Sequence, residues 1–193
     1  MAVPIINVSI LNGSNGFRLD GAKGSSSFGR SVSTAGDVNG DGFDDVIIGS
    51  SDTSYVVFGK ASGFDATLGL SSLDGSNGFR LDGAGHSVSG AEDVNGDGFD
   101  DLIIGSPSSD LNGDFSGSSY VVFGKNSGFD ATMNLSSLDG NNGFRLDGRQ
   151  GGDRTLTSLV SNAGDINGDG FDDLIIGDPF TNIDFDSYYS HYS

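Results

Sequence analysis

Asp37-Val38-Asn39-Gly40-Asp41-Gly42-Phe43-Asp44-Asp45 returns unchanged at 93–101 and, with Ile166 in place of the Val, at 165–173. An apolar run follows each copy: Val46-Ile47-Ile48, Leu102-Ile103-Ile104 and Leu174-Ile175-Ile176. Counted from the first Asp, oxygen-bearing side chains stand at positions 1, 3, 5 and 9. They are Asp37, Asn39, Asp41 and Asp45; Asp93, Asn95, Asp97 and Asp101; and Asp165, Asn167, Asp169 and Asp173. Alternate residues of a tight loop point inward, so oxygens at 1, 3 and 5 converge on one centre. Gly42, Gly98 and Gly170 permit the sharp turn at position 6. Position 7 (Phe43, Phe99, Phe171) can then offer its backbone carbonyl, and the Asp at 9 closes the shell. An all-oxygen set of this size suits Ca²⁺ better than the smaller, strictly octahedral Mg²⁺. The Asp at position 8 (Asp44, Asp100, Asp172) is expected to face solvent.

The flanks decide against a helical calcium hand. That motif needs a bidentate Glu at position 12. Position 12 here is Ile48, Ile104 or Ile176, inside a strand-like run. Three carboxylates crowd each loop, so an empty loop should loosen, and a bound divalent ion should form part of the fold's stability. Three loops imply about three calcium ions.

Outward from the loops the chain repeats itself. Asn-Gly-Phe-Arg-Leu-Asp-Gly stands at 15–21, 77–83 and 142–148, and Tyr-Val-Val-Phe-Gly-Lys at 55–60 and 120–125. Ser62–Gly83 matches Ser127–Gly148 at 19 of 22 positions. Repeats of this length are too long for helical arrays and fit a four-stranded blade. Strands are expected at Arg30–Gly36, Asp45–Gly49, Ser54–Gly59 and Phe79–Asp82, with a longer connection at Ser106–Ser118 in the second unit. The chain therefore reads as one all-β domain over 1–193, with β-propeller-type repeats in about three four-stranded antiparallel blades. Residues 1–21 would be an outer strand completing a blade; 22–83 and 84–148 are full units and 149–193 an incomplete one, with a degenerate strand at Tyr188–Tyr192. Propellers close with about four to eight blades. Three blades suggest part of a longer propeller, or one half of a six-bladed ring made by a homodimer.

Composition narrows the function. The 33 Gly residues argue against helices. No apolar run approaches the roughly 20 residues of a membrane span. A formal net charge of −18, with no cluster among nine basic residues, excludes nucleic acid as a partner. The loops hold 12 of the 27 acidic residues, so the acidity is local. Without Cys there is neither a disulfide nor a thiolate site. Ten of 14 Phe residues recur at repeat positions and are expected to pack between sheets. Each Arg of Phe-Arg-Leu-Asp is expected to pair within its own blade. His86 and His191 are the only imidazoles, and no nucleophile elbow stands in a strand-to-helix setting, so no catalytic residue is assigned.

Phe28-Gly29-Arg30-Ser31-Val32 before the first loop and Ile47-Ile48-Gly49 after it resemble the FG-GAP repeat of integrin α-subunit propellers and of related bacterial secreted proteins. The second copy has Gly85-His86 where Phe-Gly would stand. The third has Thr157-Ser158-Leu159-Val160 before its loop and Gly177-Asp178-Pro179 after it. The resemblance implies a loop between the first and second strands of each blade that binds Ca²⁺ away from the ligand face. It also implies an extracellular or cell-surface module that binds a protein or glycan ligand in adhesion. Residues 1–13 show no signal-peptide pattern. The expected function is non-catalytic binding; the alternatives are a spacer repeat of a larger secreted protein and an accessory domain of a hydrolase.

Overall fold

The computed structural model describes residues 7–21, 27–107, 109, 111, 116–148 and 159–177. These residues form 13 strands and three single 3₁₀ turns, so the fold is all-β. A short first strand, β1 (Arg18–Asp20), precedes the first blade, whose strands are β2 (Ser31–Gly36), β3 (Asp45–Gly49) and β4 (Thr53–Val57). The connection out of β4 carries β5 (Thr67–Gly69) and returns as the outermost strand, β6 (Gly78–Asp82). The second blade repeats this with β7 (Ser87–Glu92), β8 (Asp101–Ser106), β9 (Ser118–Val122), β10 (Thr132–Asn134) and β11 (Gly143–Asp147). The third contributes β12 (Leu159–Gly164) and β13 (Asp173–Gly177). The degenerate strand expected at Tyr188–Tyr192 lies outside the described residues.

Within each blade the strands form an antiparallel meander, β2-β3-β4-β6 and β7-β8-β9-β11, with β12-β13 as the start of a third. The blades stack in chain order, β2 packing on β7 and β7 on β12. No described sheet closes on itself, and the architecture is that of a partial β-propeller. The expected strands fall within a residue or two of their observed bounds, because runs such as Val46-Ile47-Ile48 and Tyr55-Val56-Val57 suit a pleat buried on both faces. Each outermost strand starts from the same turn. The Asn at its end accepts the backbone N–H three residues earlier, as Asn77 does from Asp74 and Asn142 from Asp139.

One feature departs from a plain meander. β5 pairs in parallel with β1, and β10 in parallel with β6. The connection between the third and fourth strands of the second blade thus reaches across to the outermost strand of the first, and that of the first blade pairs in the same way with β1. A stacked ring pair marks both crossings: Phe17 on Phe64 at 4.1 Å and Phe79 on Phe129 at 4.3 Å. This places several repeated Phe residues between sheets, as expected. The three Arg residues also behave as expected, with Arg18–Asp20, Arg80–Asp82 and Arg145–Asp147 contacts of 2.6 to 2.7 Å.

Two apolar layers lie between blades. Ala35, Val38, Ile47, Val56 and Phe79 of the first blade meet Val88, Leu102 and Ile104 of the second. Ala91, Ile103 and Val121 of the second meet Val160, Leu174 and Ile176 of the third. A smaller cluster joins Ile48, Tyr55 and Val57 to Leu19 and Leu68 of the β1–β5 pair.

Candidate metal centres

Each acidic loop joins the first two strands of its blade, β2 to β3, β7 to β8 and β12 to β13. A register shift precedes all three, at Thr34/Gly36, Gly90/Glu92 and Asn162/Gly164, and it throws the chain out of the ladder into the loop. Gly36 and Gly164 take the left-handed conformation there at φ 73° and 62°, whereas the second blade forces Glu92 to φ 55°.

Inside the first loop Asp37, Asn39 and Asp41 converge. The Asp41 backbone N–H donates to both Asp37 Oδ1 and Asn39 Oδ1 at 2.9 Å. Gly42 N–H donates to Asp37 Oδ2 at 2.8 Å, and Phe43 N–H to Asp41 Oδ1 at 3.0 Å. The left-handed φ of 87° at Gly42 makes that sequence of donors possible. Asp93, Asn95 and Asp97 repeat the pattern through the N–H groups of Asp97, Gly98 and Phe99. Asp165, Asn167 and Asp169 repeat it through Asp169, Gly170 and Phe171.

The position-9 residues anchor the loops from below. Asp45 is buried and accepts from Val38 N–H at 3.1 Å and Gly59 N–H at 2.8 Å. Asp101 is buried and accepts from Val94 N–H at 3.1 Å and Gly124 N–H at 2.9 Å. Burial first, with the charges of Asp41 and Asp37 added, pushes the Asp45 carboxyl up to about 7, although the Gly59 and Val38 amides oppose it. Asp101 is pushed up to about 7 in the same way, with Asp97 and Asp93 as the charged neighbours. Asp173 accepts from Ile166 N–H and Asn167 Nδ2 at a more open position.

Among the described residues no three acidic or imidazole side chains are gathered into a ready metal cage. The carboxylates turn instead toward backbone N–H groups. The donor chemistry nevertheless fits a hard cation. Each loop brings two carboxylates and an amide oxygen together above a third carboxylate. In two loops like-charge repulsion adds to burial in raising the pKa of that third group, so a cation placed there would favour its ionised form.

The position-8 residues differ from the expectation. Asp44 is exposed as expected, but Asp100 Oδ2 accepts Asp37 N–H from the neighbouring loop at 2.6 Å. Asp172 Oδ2 accepts Asp93 N–H at 3.2 Å. The Phe beside each lies over the preceding loop as well, Phe99 against Gly40 and Phe171 against Gly96. Loops one and two, and two and three, are thereby clamped to each other. The signal for this was present in the invariance of position 8, but its partner stands 63 residues away.

Of the two imidazoles, His191 lies outside the described residues. His86 is half-buried, and burial, then Arg30, lowers its pKa. No described helix is long and apolar enough to cross a membrane.

Comparison with known proteins gives the fold a family. The chain is 29% identical over 169 residues to integrin alpha-4 of Xenopus laevis, covering 83% of this chain and 15% of the integrin. It is 33% identical over 95 residues to integrin alpha-PS3 of Drosophila melanogaster, covering 43% of the chain and 8% of that protein. It is 34% identical over 87 residues to integrin alpha pat-2 of Caenorhabditis elegans, covering 40% and 7%. The chain thus spans a small part of the length of these relatives. The FG-GAP repeat profile matches residues 28–62, 84–122 and 160–191, each match holding one acidic loop and together taking in more than half of the sequence. The chain belongs to the FG-GAP repeat family.

Proposed function

We propose that the chain is a calcium-binding, non-catalytic propeller module that acts outside the cell in adhesion or ligand binding. The observation that carries this reading is the threefold recurrence of one acidic loop, in register, at the same corner of successive blades. In each loop Ca²⁺ would be held by the side chains at positions 1, 3, 5 and 9 and by the carbonyl at 7. The first site is Asp37, Asn39, Asp41, Phe43 and Asp45. The second is Asp93, Asn95, Asp97, Phe99 and Asp101, and the third Asp165, Asn167, Asp169, Phe171 and Asp173.

A bound ion offsets the crowding of three carboxylates, leaving the loop at about −1 rather than about −3. It also supplies rigidity where the loops of neighbouring blades meet. The surface for a protein or glycan ligand would then be the inter-blade connections at the opposite end of the strands, held in place by the fixed loops. The integrin relatives support an adhesive role. Binding to arrays of matrix proteins and glycans tests it. The expected result is one ligand class retained in calcium and released by chelator. Absence of any retained ligand, with calcium bound and the fold intact, favours the spacer reading instead.

A further inference from the structure

Each of the first two acidic loops is gripped by the blade that follows it, and we propose that Asp100 and Asp172 are positioning residues through which neighbouring loops bind calcium cooperatively. This deepens the calcium reading above and rests on it.

The first loop is held from the second blade at three points around Asn39. Asp37 N–H donates to Asp100 Oδ2 at 2.6 Å. The Val38 carbonyl accepts from Lys125 N–H at 2.9 Å. The Phe99 ring covers Gly40 so closely that a built Cβ would stand 2.5 Å from it. Positions 1, 2 and 4 therefore take their main-chain placement from outside their own blade. The other groups of these residues face their own loop. Asp37 Oδ1 and Oδ2 accept from Asp41 N–H and Gly42 N–H, and Val38 N–H donates to Asp45 Oδ2.

The groups that grip the first loop belong to the second site. Asp100 stands between Phe99 and Asp101, which hold positions 7 and 9 of that site. Lys125 follows Gly124, whose N–H donates to Asp101 Oδ1 at 2.9 Å. Asp101 is fully buried, so this part of the second loop is fixed in the blade. One stretch, Phe99–Asp101 with Gly124–Lys125, thus carries ligand positions of the second site and the anchors of the first loop. Ordering that stretch around the second site leaves less conformational freedom to be lost when the first loop closes. By linkage the effect is reciprocal, and an ordered first loop raises the affinity of the second by the same factor.

The joint between the second and third loops is built alike but holds less firmly. Asp172 Oδ2 accepts from Asp93 N–H at 3.2 Å, and Asp172 N–H donates back to the Asp93 carbonyl at 3.3 Å. The Phe171 ring covers Gly96. Asp172 also bonds to Glu92, so its carboxyl is shared. Coupling should therefore be stronger between the first and second sites than between the second and third. Repulsion between two bound cations opposes coupling, but salt at about 0.15 M screens it beyond about 8 Å, and the Asp100 carboxylate lies where the two loops meet.

The test is calorimetric titration of the chelated full chain with Ca²⁺, sites being closed in turn. Asp169→Ala leaves the first two sites. Asp97→Ala with Asp169→Ala leaves the first alone, and Asp41→Ala with Asp169→Ala leaves the second alone. The product of the two association constants in the pair should exceed the product of the two measured singly by at least about fivefold. Asp100→Ala, introduced into all three backgrounds, should bring that ratio to about one. Asp100→Asn keeps an oxygen for the Asp37 N–H and should retain part of it. Asp44→Ala, at the same loop position but exposed, should leave the ratio unchanged. Melting in chelator checks that each variant is folded. A ratio of one or less without the Asp100 change overturns the proposal, as does a ratio that Asp100→Ala leaves intact. Sites that bind independently leave the calcium reading standing, whereas no saturable heat in any background removes that reading and the coupling together.

Discussion

Removing the Asp100 carboxylate by Asp100→Ala should destabilise the chain by about 2 kcal/mol. The hydrogen bond it accepts from Asp37 N–H is 2.6 Å long, half-buried and charge-assisted. Bonds to charged groups contribute about 1.5–3 kcal/mol net, and the orphaned N–H of a part-buried turn prevents the loss from being smaller than about 1 kcal/mol. The same substitution at the two equivalent positions calibrates it. Asp172 makes a longer bond of 3.2 Å and also faces Glu92, whose carboxyl is raised first by its hydrogen bond to Asp172. Asp172→Ala therefore gives up a weaker bond and relieves a carboxyl pair, a net cost of about 1 kcal/mol or less. Asp44 is exposed, and Asp44→Ala should fall within about 0.5 kcal/mol of wild type. For a chain of this size the Asp100 loss corresponds to roughly 4–8 °C in Tm. Urea denaturation and calorimetric melting in chelator would measure all three. Equal losses at positions 44 and 100, or none at 100, would refute the inter-blade clamp.

Glu92 holds a left-handed φ of 55° where the other two blades have Gly, so Glu92→Gly should stabilise by about 0.5–1 kcal/mol, read from the denaturation midpoint. Phe79 is fully buried, stacks on Phe129 and touches Phe58, so Phe79→Ala should cost about 3–5 kcal/mol, whereas Phe17→Ala, at a half-buried ring, should cost less. Asp45 and Asp101 have folded pKa values of about 7, above the unfolded value near 3.9. Between these limits the chelated native state binds more protons than the unfolded chain, so its stability falls as pH rises, and melting in chelator should be higher at about pH 5 than at about pH 8. Calcium must displace the same protons, so its affinity should fall below about pH 7.

The blades were legible because their signals are local. Val-Ile-Ile and Tyr-Val-Val runs bounded by Gly and Asp state both strand and turn within a few residues, and Arg80 finds Asp82 two positions away. The loop's turn geometry was legible for the same reason, with Gly42 and Asp37 bonded five residues apart. The parallel strands β5 and β10 were not. Thr67–Gly69 and Thr132–Asn134 are three residues long, without alternation, and extend only because β1 and β6, distant in sequence, offer them a free edge. The role of position 8 was hidden likewise, since an exposed Asp44 and a clamping Asp100 have identical neighbours in sequence. The direction of the loop carboxylates depends on competition between backbone amides and a cation, which residue spacing does not express.

Isothermal titration of the chelated chain with Ca²⁺ tests that competition directly. The expected result is about three ions bound per chain at micromolar to millimolar Kd. Each site would add about 2.7 kcal/mol of stability at a hundredfold excess of calcium over Kd. Asp41→Ala, Asp97→Ala and Asp169→Ala combined should abolish most of the heat. Absence of saturable binding by the folded wild-type chain in millimolar calcium, or binding untouched by the triple substitution, would contradict it.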